Sequence, residues 1–402
     1  MRRILGFVVW FLLLAWAAPS AAADRPLTIL VSIDGFRADY LDRGLTPVMS
    51  ALAADGARAA MRPSFPSKTF PNHYALVTGL RPDRNGIVEN TMQDPDIPGV
   101  TFRMSDRATV LDRRWWDEAE PIWVTAEKAG IVTAPYFWPG SEAPIQGVRP
   151  HFYKTFDMAT PSTARVDQVL AWLDLPAPER PQFVTLYFDV VDTAGHAYGP
   201  HSPEVNAAVA DVDAAVGRLV DGLKARGLSP NLVIVADHGM AALSSDRVVY
   251  MDDVLPAGAY HSLSGGAFMT IYPEAGHEAE VDAALTARHD HFDCWRKAEI
   301  PTRFHYGHNP REAPYFCLAA TGWALTTRSY KPAHPERGNH GFDPYAAEMA
   351  AVFIGSGPAF RHGVRLPPFD NVDVYPLLAR LIGVTPQPGD GSLQDVAPAL
   401  AP

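Results

Sequence analysis

The sequence predicts an α/β protein with a largely parallel central sheet and helices on both faces. Two patterns predict it: short β-branched apolar runs that read as buried strands, and amphipathic helical stretches that alternate with them. A third observation, that three of these strands stop in acids, places polar chemistry along one edge of the sheet.

Along the chain, "MRRILGFVVWFLLLAWAAPSAAA" comes first. Arg2 and Arg3 precede an apolar run from Ile4 to Ala17 and a small-residue region, so residues 1–23 read as a secretory signal cleaved after Ala23. The run is shorter than the roughly 20 residues a spanning helix needs. Residues 24–402 then form the mature chain, exported to a periplasm or secreted. "RPLTILVSIDGF" reads as a strand stopping at Asp34-Gly35, and "LTPVMSALAADG" as a helix with Thr46 as cap, Pro47 in its first turn and Gly56 as its stop.

The stretch "FPSKTFPNHY", residues 65–74, gathers Lys68, Thr69, Asn72 and His73 where a helix begins that continues to Gly79. Thr69 reads either as a plain N-cap with Pro71 behind it, or as a nucleophile at a helix N-terminus, where free N–H groups favour an anion. Beyond it, "IWVTAEKAG" and "STARVDQVLAWLDL" are helical, and "IVTAPYFW" and "PQFVTLYFDVVD" are strands. The helix over 203–226 is the clearest element, with Val205, Val209, Val212, Val216, Leu219, Val220 and Leu223 on one face. "NLVIVADHG" and "MAAVFIGSG" are further buried strands, and "NVDVYPLLARLIG" is a closing helix. Residues from about 250 to 340 break the alternation and read as an insertion over one end of the sheet.

Composition narrows the function. The 402-residue chain carries a net charge of −11; removing the signal leaves 32 basic against 45 acidic side chains, a net −13. Stable nucleic-acid binding, which depends on Lys and Arg neutralising phosphates, is not expected. An anionic small molecule must instead be attracted locally, which points to metal ions. The two cysteines, Cys294 and Cys317, are expected to form one disulfide in an oxidising compartment.

Candidate ligands stand at the strand ends: Asp34 in "SIDG", Asp192 in "FDVVD", and Asp237-His238 in "VADHG". His196 follows Asp192 by four residues, and His340 sits in "RGNHGFDP". Each alone could be an ordinary turn or cap residue. Together they form a nitrogen and oxygen donor set suited to two zinc-like ions, and acids delivered to one edge repel unless a cation neutralises them. Asp237 and His238 are sequence neighbours, so both can serve only if the chain bends there, which Gly239 allows. Bound metal is also one way to activate the weakly nucleophilic hydroxyl of Thr69.

With Asp34, "FPSKTFPNHY", "GIVEN", "DTAGHAYGP", "DHGM" and "GNHGFDP" in this order, the chain resembles the nucleotide pyrophosphatase/phosphodiesterase family of the alkaline phosphatase superfamily. The resemblance implies an alkaline-phosphatase-like three-layer fold and a cofactor of two Zn2+. It implies one ion on Asp34, Thr69, Asp237 and His238, and the other on Asp192, His196 and His340. Thr69 is then the nucleophile of a covalent phospho-threonine mechanism that releases nucleoside monophosphate. Asn90 and the Phe70 backbone N–H would hold a phosphoryl oxygen, and Phe70 and Tyr187 would sandwich a nucleobase, with Tyr153 or Phe156 adding to the wall. One departure is "VVDTAGH", where many relatives have proline before the aspartate; it changes no ligand. The expected partner is a nucleotide-type small molecule, with no stable membrane association after signal cleavage and a monomeric state. The alternatives on the same bimetallic scaffold are a lysophospholipid or choline-ester phosphodiesterase and a phosphate monoesterase. A non-catalytic binding protein is the alternative from another class.

Overall fold

The computed structural model describes residues 26–330 and 336–402; the expected signal segment lies outside them. The elements that position the site begin with β1 (Thr28–Ile33), α1 (Pro47–Asp55), β2 (Ala57–Arg62) and α2 (Thr69–Thr78). They continue with α3 (Ile122–Lys128), β3 (Thr133–Tyr136), α4 (Ser162–Leu173), β4 (Phe183–Phe188), α5 (Val190–Tyr198), α6 (Pro203–Ala225) and β5 (Asn231–Val235). After β6 (Phe268–Pro273), β7 (Phe292–Arg296) and β8 (Tyr315–Ala319) the chain returns through β9 (Ala351–Ser356) to α7 (Val374–Ile382).

The central sheet has eight strands. β3, β4, β1 and β5 are parallel neighbours, and β9 runs antiparallel between β5 and β2. Short pieces at Val364–Arg365 and Phe369–Asp370 complete the β2 edge. All residues of β1, β4 and β5 are buried, as near-continuous apolar strands covered on both faces should be. Helices α1, α4 and α5 pack with α6, and α2 and α3 pack with α7, giving the three expected layers. Register sets the site: Ile33 pairs with Phe188 and Ser32 with Val235, so the residues just after β1, β4 and β5 emerge at one edge.

One strand has no counterpart in the sequence reading, and three local readings change. β2, "ARAAMR", carries no strong strand signal; it alternates between buried and half-buried positions and is held by pairing with β9. β4 ends at Phe188, so Asp192 lies not at a strand end but in the first turn of α5. Thr46 makes no capping bond to α1. Asp213 of α6 accepts from the N–H groups of Val48 (3.0 Å) and Met49 (2.8 Å) instead, a cap that local sequence does not announce. Thr69 is the first residue of α2, not its cap; the extended Lys68 precedes it.

Residues 260–319 contribute a separate four-stranded antiparallel sheet in the order Tyr260–His261, β6, β8, β7. Cys294 and Cys317 face each other across β7 and β8 and form a disulfide. Phe65, just before the Thr69 helix, stacks on Phe304 at 4.3 Å and meets Phe316 at 4.9 Å, which docks this sheet against the loop leading to α2. Arg311 is buried and bonds Asp94 (2.6 Å) and the carbonyls of Gly86 (2.8 Å) and Trp115 (2.7 Å). Losing it would leave a buried carboxylate and two carbonyls unpaired.

Candidate active site

Asp34 follows β1 directly, and glycine at 35 is required there. Gly35 has φ 68°, and a Cβ on it would lie 3.0 Å from the Asp192 backbone. That close approach brings the α5 acid against the β1 acid. The Gly35 N–H donates to Asp237 Oδ1 at 3.2 Å, which ties the third acid to the same turn. Past Val235 the chain leaves strand geometry, and Asp237 and His238 turn into one cleft, with Asp237 Oδ2 2.8 Å from His238 Nε2. Gly239 allows this because its missing Cβ would meet the Glu348 carbonyl at 2.0 Å.

The remaining distances close the cluster. His238 Nε2 lies 3.5 Å from Asp34 Oδ1 and 3.3 Å from Thr69 Oγ1. His196 Nε2 and His340 Nε2 lie 3.5 Å and 3.7 Å from Asp192 Oδ1. The His238 and His340 rings stack at 3.5 Å. All seven expected ligands are thus brought together. Asp34, Thr69, Asp237, His238 and His340 are buried, while Asp192 and His196 are half-buried.

The donor chemistry fits cations. Each of the three imidazoles gives its Nδ1 proton to a backbone carbonyl: His196 to Gly338 (3.0 Å), His238 to Gly239 (2.9 Å) and His340 to Ser67 (2.8 Å). Each therefore directs Nε2 into the cluster, the arrangement in which a backbone bond fixes the tautomer of a metal-binding histidine. Opposite them, Asp34 Oδ1, Asp192 Oδ1 and Asp237 Oδ2 are buried and receive no hydrogen bond among the described residues. Lone pairs facing lone pairs in a buried cluster need a positive charge between them.

Electrostatics agree. Burial, then the charges of Asp237 and Asp192, hold Asp34 well above the ordinary carboxylate range. Burial would raise Asp237 too, but His238 and His73 outweigh it and bring it below its usual value. Burial lowers and Asp237 raises His238, with a net rise. Burial and the charges of His238 and Lys68 push His340 well below its ordinary value, which keeps it in the neutral, ligand-competent form.

The polar crowding around Thr69 now has a physical account. Asn72 is buried and fully bonded: its Oδ1 accepts from Ser64 N (2.7 Å) and Asn371 Nδ2 (2.9 Å), and its Nδ2 donates to the carbonyls of Pro66 (2.9 Å) and Lys68 (2.8 Å). It clamps the loop that presents Thr69. His73 has Nδ1 on the Thr69 carbonyl at 2.9 Å and Nε2 on Ser32 Oγ at 2.8 Å. Asp34, His73 and Asp237 offer atoms within 4.8 Å of one another, but both His73 nitrogens are engaged, so His73 orients the Thr69 backbone and is not a free ligand. Its i,i+4 spacing from Thr69 was the available signal for that role.

Two expectations about substrate contacts change. The Phe70 N–H is not free for a phosphoryl oxygen; it donates to Asn90 Oδ1 at 2.9 Å. That bond orients the Asn90 amide so that Nδ2 is its remaining donor. Tyr187 presents no open ring face. It is buried, its hydroxyl donates to Asp34 Oδ2 at 2.6 Å, and its ring meets the edge of His73 at 5.2 Å. The exposed aromatic on that side is Phe156, packed edge-on against Tyr187 (6.1 Å) and Phe137 (5.3 Å), with Tyr153 and Met104 also exposed. Half-buried Phe70 packs against Trp116 (5.9 Å) and Phe102 (6.0 Å). Sequence reasoning also missed the fully buried Arg165, whose guanidinium pairs with Asp189 (2.6 Å) and bonds the Tyr187 carbonyl (3.0 Å). It braces the turn from β4 into α5 and hence the start of the helix that carries Asp192 and His196.

Comparison with known proteins gives a consistent result. The family model described as type I phosphodiesterase / nucleotide pyrophosphatase matches residues 28–343. An uncharacterised pyrophosphatase/phosphodiesterase of Schizosaccharomyces pombe is 37% identical over 393 residues, covering 92% of this chain and 79% of that protein. Ectonucleotide pyrophosphatase/phosphodiesterase family member 1 of Mus musculus is 38% identical over 387 residues, covering 92% of this chain but 42% of that protein. The chain therefore spans less than half the length of the mouse relative. Among solved structures, murine ectonucleotide pyrophosphatase/phosphodiesterase 5, as an inactive threonine-to-alanine variant in complex with AMP, superposes with TM-score 0.88 at 33% identity, covering 94% of this chain and 100% of that one.

Proposed function

The chain belongs to the type I phosphodiesterase / nucleotide pyrophosphatase family, and from that premise we propose that it is a metal-dependent hydrolase of nucleotide phosphodiester and pyrophosphate bonds. One observation carries the reading: three imidazoles with fixed tautomers face three carboxylates with orphaned oxygens, and the Thr69 hydroxyl stands among them, 3.3 Å from His238 Nε2. Asp34, Thr69, Asp237 and His238 would hold one zinc ion, and Asp192, His196 and His340 a second. Bound there, the ions would supply the positive charge that favours a threonine alkoxide and neutralises phosphoryl oxygens.

Thr69 Oγ attacks the phosphorus in line; the bond from phosphorus to the leaving oxygen breaks, and a phospho-threonine forms. Water then cleaves that ester, freeing nucleoside monophosphate and restoring the hydroxyl. Asn72 and His73 keep the Thr69 backbone in place, and Tyr187 keeps Asp34 oriented. Asn90 Nδ2 donates to a non-bridging oxygen, with its amide already aligned by the Phe70 N–H. Phe70 and the exposed Phe156 provide the apolar surface for a base, in place of the Phe70–Tyr187 pair.

The AMP bound to the murine relative, and the threonine lost in its inactive variant, support a nucleotide substrate and a threonine nucleophile. No helix among the described residues is long and apolar enough to cross a membrane. The ecto- and venom-enzyme names of the relatives support export to a periplasm or the cell exterior. Thr69→Ala is the test. It is expected to lower hydrolysis of p-nitrophenyl thymidine monophosphate by about a thousandfold or more while elemental analysis still finds zinc. Turnover near the wild-type level would remove the proposed nucleophile.

A further inference from the structure

Arg165, near the start of α4, carries a charge into the protein interior, with its side chain only 1% exposed. An apolar residue could fill that space without the cost of desolvating a charge, and a buried ion pair is often no more stabilising than the hydrophobic side chains that could replace it. What an apolar residue cannot supply is a rigid fork of directed N–H groups. Here the fork reaches three separate segments. Nε donates to the Thr160 carbonyl at 2.9 Å. Nη1 donates to the Tyr187 carbonyl at 3.0 Å and faces Asp189 Oδ1 at 2.6 Å. The guanidinium also lies 5.1 Å from the centre of the Phe137 ring.

Two of these partners support the exposed aromatic wall. Thr160 closes a turn in which its N–H donates to the Asp157 carbonyl at 3.1 Å. The Asp157 carboxylate accepts from the Ala159 N–H (3.0 Å) and the Thr160 hydroxyl (3.2 Å) in the same turn. Phe156 stands immediately before it, and Phe137 lies behind the Phe156 ring, edge-on at 5.3 Å. Phe137 is held at φ 64°, a left-handed conformation that a bulky residue keeps only when its surroundings impose it. The other two partners support the metal-ligand cluster. Tyr187, next to last in β4, gives its hydroxyl to Asp34. Asp189 precedes α5, where its carbonyl accepts from the Thr193 N–H at 3.0 Å, and Asp192 and His196 follow on that helix. We infer that Arg165 is a positioning residue shared by both: it holds Phe156 in place for a base and holds the start of α5 so that Asp192 and His196 face a metal ion. None of its bonds goes to a metal-ligating atom. This rests on the hydrolase reading above and adds to it a residue through which the base wall and one half of the metal cluster are built as one unit.

The test uses Arg165→Lys and the paired variant Arg165→Met/Asp189→Asn, which leaves neither member of the ion pair unmatched. Each is compared with the wild type at saturating zinc on p-nitrophenyl thymidine monophosphate and on methyl p-nitrophenyl phosphate, which has no base. Zinc titrations and thermal melts accompany the kinetics. In the paired variant KM for the thymidine ester is expected to rise roughly tenfold, while kcat/KM for the methyl ester stays within about threefold. Zinc titration of the same protein should show one of two sites weakened by roughly tenfold. Lysine keeps a charge opposite Asp189 but has no fork for the two carbonyls, so Arg165→Lys should raise the thymidine-ester KM and spare most of the zinc affinity. A paired variant in which either KM or zinc affinity moves by less than about twofold overturns the shared role. So does one in which both esters fall together with the melting temperature, since that is structural support alone. Should the paired variant not fold, an unmoved thymidine-to-methyl ratio in Arg165→Lys overturns the inference by itself. Phe156→Ala is expected to raise the thymidine-ester KM with zinc affinity unchanged; if it leaves that KM unmoved, the base wall itself is wrong, and wild-type protein that hydrolyses neither ester overturns the hydrolase reading.

Discussion

At the carboxyl edge of the sheet, Asp34, Asp192 and Asp237 crowd together facing three imidazoles. At the junction of the 301–313 loop with the Pro82–Asn85 turn, half-buried Asp83 and buried Glu312 form a second pair of acids. Burial and the hydrogen bond and charge of Asp83 push Glu312 up to about 9. Glu312 therefore keeps its proton and donates it to Asp83. Burial alone would raise Asp83, but that hydrogen bond and the N–H groups of His308 (2.7 Å) and Asn309 (2.9 Å) hold it below its usual value. One shared proton settles the second pair, and its neighbouring imidazole, His308, is exposed. The first cluster has three acids, each with an orphaned oxygen, and three imidazoles whose Nδ1 protons are already committed. A pair of acids alone does not point to a metal; imidazole nitrogens left facing acids do.

Removing metal should separate the two clusters most sharply. Exhaustive chelation is expected to abolish diester hydrolysis and, for ligand present at about a thousandfold above its dissociation constant, to cost about 4 kcal/mol per ion, which for two ions is roughly 10 °C in Tm for a chain this size. Added zinc should restore both. Full activity in protein shown by elemental analysis to be metal-free would erase the distinction drawn here.

A smaller effect is expected from Tyr187→Phe, which removes the 2.6 Å bond to Asp34 and nothing else of the ring. Supporting contacts of this kind change metal affinity by roughly 10–100-fold. Zinc titration should show one of two sites weakened while KM for nucleotide stays near wild type. A large rise in KM with unchanged zinc binding would instead return Tyr187 to the base-binding wall.

The smallest effect concerns the proton-sharing pair. Glu312 titrates near 4.5 when unfolded and about 9 when folded, so the unfolded chain holds fewer protons between those values. The stability it contributes is complete below about 4.5 and is lost as pH rises towards 9. Glu312→Gln removes that dependence. Thermal melts should show the variant gaining on the wild type by roughly 5 °C between pH 5 and pH 8.5, equally with and without zinc. A constant difference across that range would exclude a proton shared with Asp83.

Most residues of the candidate cluster were legible because of a local signature: Asp34, His196, His238 and His340 each stand beside a glycine, and Asp237 follows a buried strand. The helix over 203–226 was legible for the same kind of reason, a periodic apolar face. β2 was not, since three alanines and two arginines pair with β9 only because the chain returns there some 290 positions later. The cap on α1 was misread because its acceptor, Asp213, comes from another helix. Tyr187 was read as a wall because an aromatic beside acids suits a base equally well on paper. Which atom its hydroxyl reaches depends on Asp34, 153 positions away.

The sequence by itself determined the donor types, their order, the strand-and-helix alternation that sends them to one edge, and the family they announce. These are properties of short stretches, where side-chain chemistry and backbone preference act within a few residues. Only the tertiary structure decided which imidazole nitrogen points inward, which N–H is already taken, and that Tyr187 orients an acid while Phe156 stays open. Hydrogen bonds and burial between distant segments set those choices, and such pairings exist only once the sheet has brought the segments together.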